Sequence, residues 1–300
     1  MKFAYCCFLA AVFVGGAAHA QTYDLYLDNG IIRVGVETDE YGGAITYISE
    51  SGSERNIINN HDRGRQVQQS YYAGNALDRK DEGQKSNWSP WAWNPIQVGD
   101  TYGNSSEVLE AKKFDGGLYI KTRPLLWDMK NEFAECHFET WITLDKNTVH
   151  VRNKLTSYRT DDKWPAVENN QECPAVYTIG DLHRLVTYEG DAPFTNAPLK
   201  TIENNGPPWA YWGTPDTTEN WAALVNDDDW GLGVYNPDAT QWCGGFHHTI
   251  GGGEFDPSTG YISPLQRTTL DKDTVFEYDY HLILGALDEI RAWVYAREGK

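Results

Sequence analysis

The densest run of chemistry-bearing side chains is Asn59-Asn60-His61-Asp62-Arg63-Gly64-Arg65-Gln66-Val67-Gln68-Gln69-Ser70-Tyr71-Tyr72. Taken as an extended segment, it places Arg63, Arg65, Val67, Gln69 and Tyr71 on one side and Asp62, Gln66, Gln68, Ser70 and Tyr72 on the other. Neither side is apolar, so burying either one demands many hydrogen-bond partners. A ligand-lined cleft would meet that demand, because sugars present hydroxyls around the ring and carboxylates suit Arg. The competing reading is a solvated edge strand held by internal ion pairs. The chemistry such a set could do is elimination from a uronate. Arg63, Arg65, Gln68 or Gln69 would neutralise the sugar carboxylate, while His61, Tyr71 or Tyr72 would take the proton alpha to it and return one to the leaving oxygen.

A second cluster runs Glu168-Asn169-Asn170-Gln171-Glu172-Cys173-Pro174-Ala175-Val176-Tyr177, followed by Asp181 and His183. Glu172 is a candidate general acid or base, with Asn170, Tyr177 and His183 as candidate sugar contacts. Glycoside hydrolysis would need a second carboxylate across the bond, at separations of about 5–5.5 Å or 6.5–9.5 Å. Asp62 and Asp181 are the candidates. The chain also holds 12 Trp, several in polar contexts: Trp88, Trp91, Trp93, Trp164, Trp209, Trp212 and Trp242. An aromatic face can stack on the C–H side of a pyranose, so Trp88, Trp91, Trp93, Trp209 and Trp212 are candidate substrate contacts. Trp141, Trp221 and Trp293 sit inside predicted strands and read as core.

No metal or cofactor site is expected. Asp227-Asp228-Asp229 could hold a structural calcium ion, but its spacing is not that of an EF-hand loop and a hairpin turn accounts for it. His247-His248 lacks a third ligand at useful spacing.

The elements that must position these residues are strands. YDLYLDN and IIRVGVET flank Asn29-Gly30, a strong hairpin dipeptide, and Phe138 to Leu144 pairs with Thr148 to Leu155 across Asp145-Lys146-Asn147. Trp221 to Val225 and Gly231 to Tyr235 flank an acidic turn, and Thr274 to Leu284 and Ile290 to Ala296 read as two further strands. Residues 74–115 read as a long, polar, Trp-rich loop of the kind that carries function. Many short strands without a fixed-period repeat predict an all-β fold, a large antiparallel β-sandwich with few or no helices.

The ends and the composition set the class. Met1 and Lys2, an apolar run from Phe3 to Ala18, and Ala18-His19-Ala20 predict a signal peptide over residues 1–20, leaving one domain over 21–300. The protein is therefore expected to be secreted (periplasmic in a Gram-negative source). The formal net charge is −18, and −19 once Lys2 is removed, which argues against nucleic acid or an anionic membrane as partner. The remaining Cys136, Cys173 and Cys243 permit one disulfide or three thiols, and a core of this size needs no disulfide framework. Asn104-Ser105-Ser106 is an open glycosylation sequon, and Asn87-Trp88-Ser89 a second, weakened by Pro90. No feature sets an oligomeric state.

The opening hairpin followed by GGAITYISESGSERNIIN resembles the start of the galactose-mutarotase-like β-sandwich superfamily. WAALVNDDDWGLGVYNP and FEYDYHLILGALDEIRAWVYA are similar to the later hairpin and closing strands of such domains. The resemblance is one of strand pattern over most of the chain. It implies a carbohydrate-active protein, in a group that spans sugar epimerases, glycoside hydrolase domains and polysaccharide lyase domains. The epimerase pattern of paired His residues and a late catalytic Glu is not cleanly matched.

Together these features lead to a secreted polysaccharide-degrading enzyme, a lyase first and a hydrolase using Glu172 second. A non-catalytic carbohydrate-binding or matrix protein is the alternative of a different class.

Overall fold

The computed structural model describes residues 25–202, 209–212, 217–239, 241–247 and 249–300, the stretch 209–212 by its backbone only. The segment 1–20, His248 and the side chains of Trp209 and Trp212 lie outside the described residues.

Two large antiparallel sheets form the body. One has seven strands in the order Leu125–Leu126, Pro95–Ile96, Gln68–Ser70, Glu168–Ile179, Thr259–Thr269, Gln241–His247 and Trp209–Trp212. The other has nine: Lys200–Ile202, Arg184–Thr187, Trp221–Val225, Trp230–Tyr235, Val275–Ala286, Thr148–Ser157, Cys136–Asp145, Gly117–Arg123 and Glu107–Phe114. The opening hairpin adds a three-stranded sheet of Leu25–Asp28, Ile32–Glu37 and Ala44–Glu50.

The core lies between the large sheets. Leu118, Ile142, Val151 and Tyr280 from the nine-stranded sheet share one buried cluster with Val176, Phe246 and Ile262 from the seven-stranded sheet. Each such side chain contributes about 1.5–3 kcal/mol on burial. The cluster also takes in Ile32, Val34 and Ile48 of the opening hairpin sheet.

Period two explains which strands are covered on both sides. Along Cys136–Asp145, buried and part-exposed residues alternate, as in a strand with one wet face. Trp141 falls on that wet face, beside Tyr119 at 5.2 Å and under Arg152, so it is half-buried and not core. Trp221–Val225 is buried at every residue. Ala222 and Leu224 enter the inter-sheet core, while Trp221, Ala223 and Val225 face a second cluster closed by Ile290 and Val294.

Those last two residues belong to an α-helix, Leu287–Arg297, which corrects the expectation of a strand over 290–296. The aromatic and β-branched residues there favour a strand locally, but Ile290 and Val294 are four apart and land on one helical face. Asp288 and Glu289 occupy the first turn, and the Glu289 carboxylate accepts the Ala286 N–H at 3.2 Å. Trp293 is half-buried on this helix and packs edge-on to Tyr235. Gly233 lies beneath it, where a Cβ would come within 2.4 Å of Ile290 Cγ2.

The segment 74–115 is more ordered than its composition predicts. Ala73–Leu77 pairs with Trp91–Trp93, short 3₁₀ turns span Lys80–Glu82 and Ser86–Trp88, and Glu107–Phe114 forms a hairpin with Gly117–Arg123.

Candidate functional site

One face of the seven-stranded sheet packs on the core, and the other carries polar side chains. Val176 and Cys173 point inward, whereas Glu172, Ala175 and Tyr177 line an inner chamber of about 300 Å³. Strict alternation would put Glu172 and Tyr177 on opposite faces. A bulge prevents this. Glu172 stands opposite Leu265 and Val176 opposite Ile262, so Cys173 to Ala175 face only Ser263 and Pro264. The extra residue returns Tyr177 to the face that carries Glu172.

Glu172 is the only carboxylate lining the inner chamber among the described residues. Tyr261 donates a short hydrogen bond to its Oε1, and Tyr72 donates to its Oε2 at 3.2 Å. Tyr261 also stacks on Tyr177, with ring centroids 4.6 Å apart, and contacts Cys243 Sγ at 3.5 Å. Burial first, and Glu172 next, hold the Tyr72 phenol well above the ordinary phenol range. Burial first, then the neighbouring Cys243 and Glu172, do the same for Tyr261. Both phenols therefore keep their protons at neutral pH and act as donors. Burial and Glu172 also push the Cys243 thiol up to about 12.

Tyr72 is set in place by Gln171, which is fully buried. The Tyr72 N–H donates to Gln171 Oε1 at 2.7 Å, and Gln171 Nε2 donates to the Tyr72 carbonyl at 2.9 Å. The aromatic wall is Trp88, Trp91 and Trp127. Trp88 meets Trp91 at 4.9 Å and Trp127 at 5.6 Å, both edge to face. Gly64 closes against Trp127 with a φ of +105°, where any Cβ would lie 3.0 Å from Trp127 Cη2.

An outer chamber of about 490 Å³ adjoins the inner one, and Gly64, Trp88, Trp127 and Tyr177 line both. Its charged lining is Asp62, Arg63, Arg65, Lys85 and Asp100. A separate recess of about 830 Å³ beside the C-terminal helix includes Asp229, Leu287, Arg291 and Tyr295 and shares no residue with these chambers. Its Asp229 and Arg291 are already bound in ion pairs with Arg184 and Glu219.

The structure divides the sequence-predicted residues. Gln68, Tyr72, Trp88, Trp91, Glu172 and Tyr177 line the inner chamber, and Arg63 and Arg65 the outer. Gln68 has its amide engaged, donating to the Gly64 carbonyl at 2.8 Å and accepting the Val98 N–H at 3.2 Å. Tyr71 instead lies in the core, edge-on to Phe138 at 5.1 Å, because residues 67–72 do alternate and the Val67 side faces inward. Gln69 shares that side and donates to Thr140 Oγ1 at 2.8 Å, which satisfies it away from the cleft. Residues 61–64 turn, so the extended register fails there. His61 is exposed, its Nδ1 2.9 Å from the Phe255 carbonyl, and lines neither chamber.

Most of the other candidates lie apart from the inner chamber. Trp93 is buried, with Arg159 over its ring at 4.8 Å, and Trp164 and Trp242 are buried as well. Asn170 donates to Gln241 Oε1 at 3.2 Å and lines neither chamber. His183 faces Asp227 at 3.2 Å, outside both. Asp181 pairs with Arg55, and Asp62 pairs with Arg65 at 3.0 Å in the outer chamber. Glu172 stands within the 12-residue strand Glu168–Ile179. Asn104 Nδ2 donates to Asp100 at 2.8 Å.

Ser70, on the predicted Tyr72 side, also lines the inner chamber, whereas Trp127, Asn94, Cys243, Tyr261 and Lys85 line the two chambers without a distinguishing sequence signal. Cys136, Cys173 and Cys243 are free thiols. No group of three or more His, Cys, Asp or Glu among the described residues is arranged to hold a metal ion. No helix among them is long and apolar enough to cross a membrane.

This architecture is the galactose-mutarotase-like β-sandwich fold. A galactose mutarotase related enzyme from Lactobacillus acidophilus superposes with a TM-score of 0.51 at 12% identity, over 87% of this chain and 96% of that one. A galactose mutarotase-like protein from Lactobacillus casei gives 0.52 at 11% identity, over 87% and 99%. The Slr1438 protein of Synechocystis gives 0.53 at 9% identity, over 87% and 94%. No family model and no curated protein sequence matches the chain.

Proposed function

We propose that the protein is an exported saccharide-processing enzyme whose inner chamber moves protons at a sugar. Glu172 takes the proton of the anomeric hydroxyl as the bond from the anomeric carbon to the ring oxygen breaks, and Tyr72 gives its proton to that ring oxygen and recovers one from the protonated Glu172 it contacts. The single observation that carries this is a lone carboxylate bonded by two phenols beside a corner of three tryptophans. A positioned carboxylate with a neighbouring donor is sufficient for acid–base catalysis, worth about 10²–10⁴-fold. The tryptophans supply the apolar face on which a pyranose stacks. That two proteins of this fold are described as galactose mutarotase-like or related agrees with this reading.

Hydrolysis would require a second carboxylate facing Glu172, and Asp62 is held by Arg65 in the adjoining chamber. Elimination from a uronate would require a donor against the reacting carboxylate, but the Gln68 amide in the inner chamber is engaged by Gly64 and Val98, and Arg63, Arg65 and Lys85 belong to the outer chamber. Ring opening and closure makes neither demand.

The test is the interconversion of anomers in freshly dissolved aldoses and reducing oligosaccharides, followed by polarimetry, with wild type and Glu172→Gln. Acceleration by wild type that falls at least about a hundredfold in the variant is expected. New ultraviolet absorbance from unsaturated product would replace the proposal with a lyase, and release of reducing ends with a hydrolase. Retention on a sugar column without any conversion would replace it with a binding protein. Export is checked by sequencing the mature N-terminus, expected at Gln21.

A further inference from the structure

The outer chamber holds an imbalance of charge that the inner chamber does not use. In a chain of net charge −18, cations are expected to find carboxylates. Asp62 is taken by Arg65 at 3.0 Å. Asp100 is buried, and its carboxylate accepts four N–H groups, from Tyr102 at 2.8 Å, Asn104 backbone at 3.0 Å, Asn104 Nδ2 at 2.8 Å and Asn131 at 2.7 Å. Arg63 and Lys85 are left, and neither is ion-paired with a carboxylate among the described residues.

Both are nonetheless held in place, by neutral oxygens that leave their charge intact. Arg63 Nη1 donates to the Val98 carbonyl at 3.0 Å, to Ser105 Oγ at 3.1 Å and to the Glu40 carbonyl, with the guanidinium over the Tyr41 ring at 5.4 Å. Lys85 Nζ donates to the Thr101 carbonyl at 2.5 Å and sits 5.1 Å from the Tyr102 ring centre. Cations fixed without a counter-ion are prepared for an anionic ligand, because the ordering cost is already met in the free protein.

We propose that the outer chamber is an anion-recognising subsite for a carboxylate or sulfate carried by the sugar next to the one in the inner chamber, read by Lys85 and Arg63. This rests on the inner chamber being a saccharide site. Trp88 and Trp127 line both chambers and form a continuous aromatic wall from one unit to the next. The substrate class is then an acidic oligosaccharide whose charge lies one unit away from the reacting ring.

The test titrates the full chain, by tryptophan fluorescence at low salt, with two matched pairs of oligosaccharides. One pair is oligogalacturonate and its carboxyl-reduced form, the other a chondroitin sulfate oligosaccharide and its desulfated form. The anionic member of at least one pair is expected to bind about tenfold more tightly, a difference that shrinks as salt screens the charges. Whichever pair shows it separates carboxylate from sulfate. The advantage is expected to fall to within about twofold in Lys85→Gln with Arg63→Gln. It is expected to survive in Lys85→Arg, which keeps the charge and serves as the control for folding. Equal binding within both pairs, or an advantage that persists in the double variant, overturns this inference while leaving the inner-chamber reading in place. Binding of none of the four overturns this inference, and the polarimetry of aldoses then decides separately whether the inner-chamber reading stands.

Discussion

Tyr71 and Tyr72 are adjacent in the chain, yet Tyr71 donates to Gln69 Oε1 in the core at 2.7 Å while Tyr72 donates to Glu172 in the cleft at 3.2 Å. We predict that the two Phe variants separate stability from chemistry. Tyr71→Phe should lower unfolding free energy by about 1 kcal/mol and leave the sugar-converting rate within a few fold. Tyr72→Phe should lower that rate at least about a hundredfold with a smaller change in stability. Urea unfolding and polarimetry on the same preparations check this, and a rate loss confined to Tyr71→Phe would sink the assignment of the cleft.

Cys243 reports on the same chamber. The residue is only partly accessible, and its thiol is pushed up to about 12 by burial first and by Glu172 next, so little thiolate is present at neutral pH. We predict alkylation by iodoacetamide at pH 8 at least about a hundredfold slower than for a free cysteine, rising with each unit of pH. Glu172→Gln removes one of the two causes and should speed the reaction. Peptide mass spectrometry over time gives the rates, and a thiol as reactive as free cysteine at pH 8 would contradict this environment.

The docking of the C-terminal helix depends on an absent side chain. At Gly233 a Cβ would meet Ile290 Cγ2 at 2.4 Å, closer than packed carbons tolerate. Gly233→Ala is predicted to destabilise the protein by about 1–3 kcal/mol, as overpacking does. A urea midpoint unchanged from wild type would show that the helix does not press on this strand.

His281 gives a pH dependence. It is buried, stacks on His150 at 4.6 Å, and its Nδ1 has no hydrogen-bond partner among the described residues. Burial first, then His150 and Arg297, lower its pKa from 6.5 to about 3. The folded state therefore keeps it neutral while the unfolded chain takes up a proton below about pH 6.5. Its contribution is complete above that pH and is lost progressively as pH falls toward about 3, by up to a few kcal/mol. Unfolding free energies across this window should fall less steeply for His281→Gln than for wild type, and identical slopes would refute the prediction.

What the sequence by itself determined was the β architecture and the identity of several cleft residues. Period-two runs around Asn29-Gly30 and Asp145-Lys146-Asn147 are local signals, because alternation and turn chemistry act over a few residues. Glu172, Tyr72, Trp88 and Trp91 stood out by type and company alone. The helix over Leu287–Arg297 was hidden, since its aromatic and β-branched residues suit a strand and only packing against Trp221–Val225 shows that Ile290 and Val294 share one buried face. Tertiary structure alone decided which tyrosine meets Glu172, because the partners are 100 residues apart and the register of the strand bearing Gln68–Ser70 chooses the face. It also decided that Tyr177 joins Glu172, through one extra residue in a bulge that no composition announces. Lys85 and Trp127 entered the cleft for the same reason: their value lies in what stands opposite them, and that is set by the folded chain.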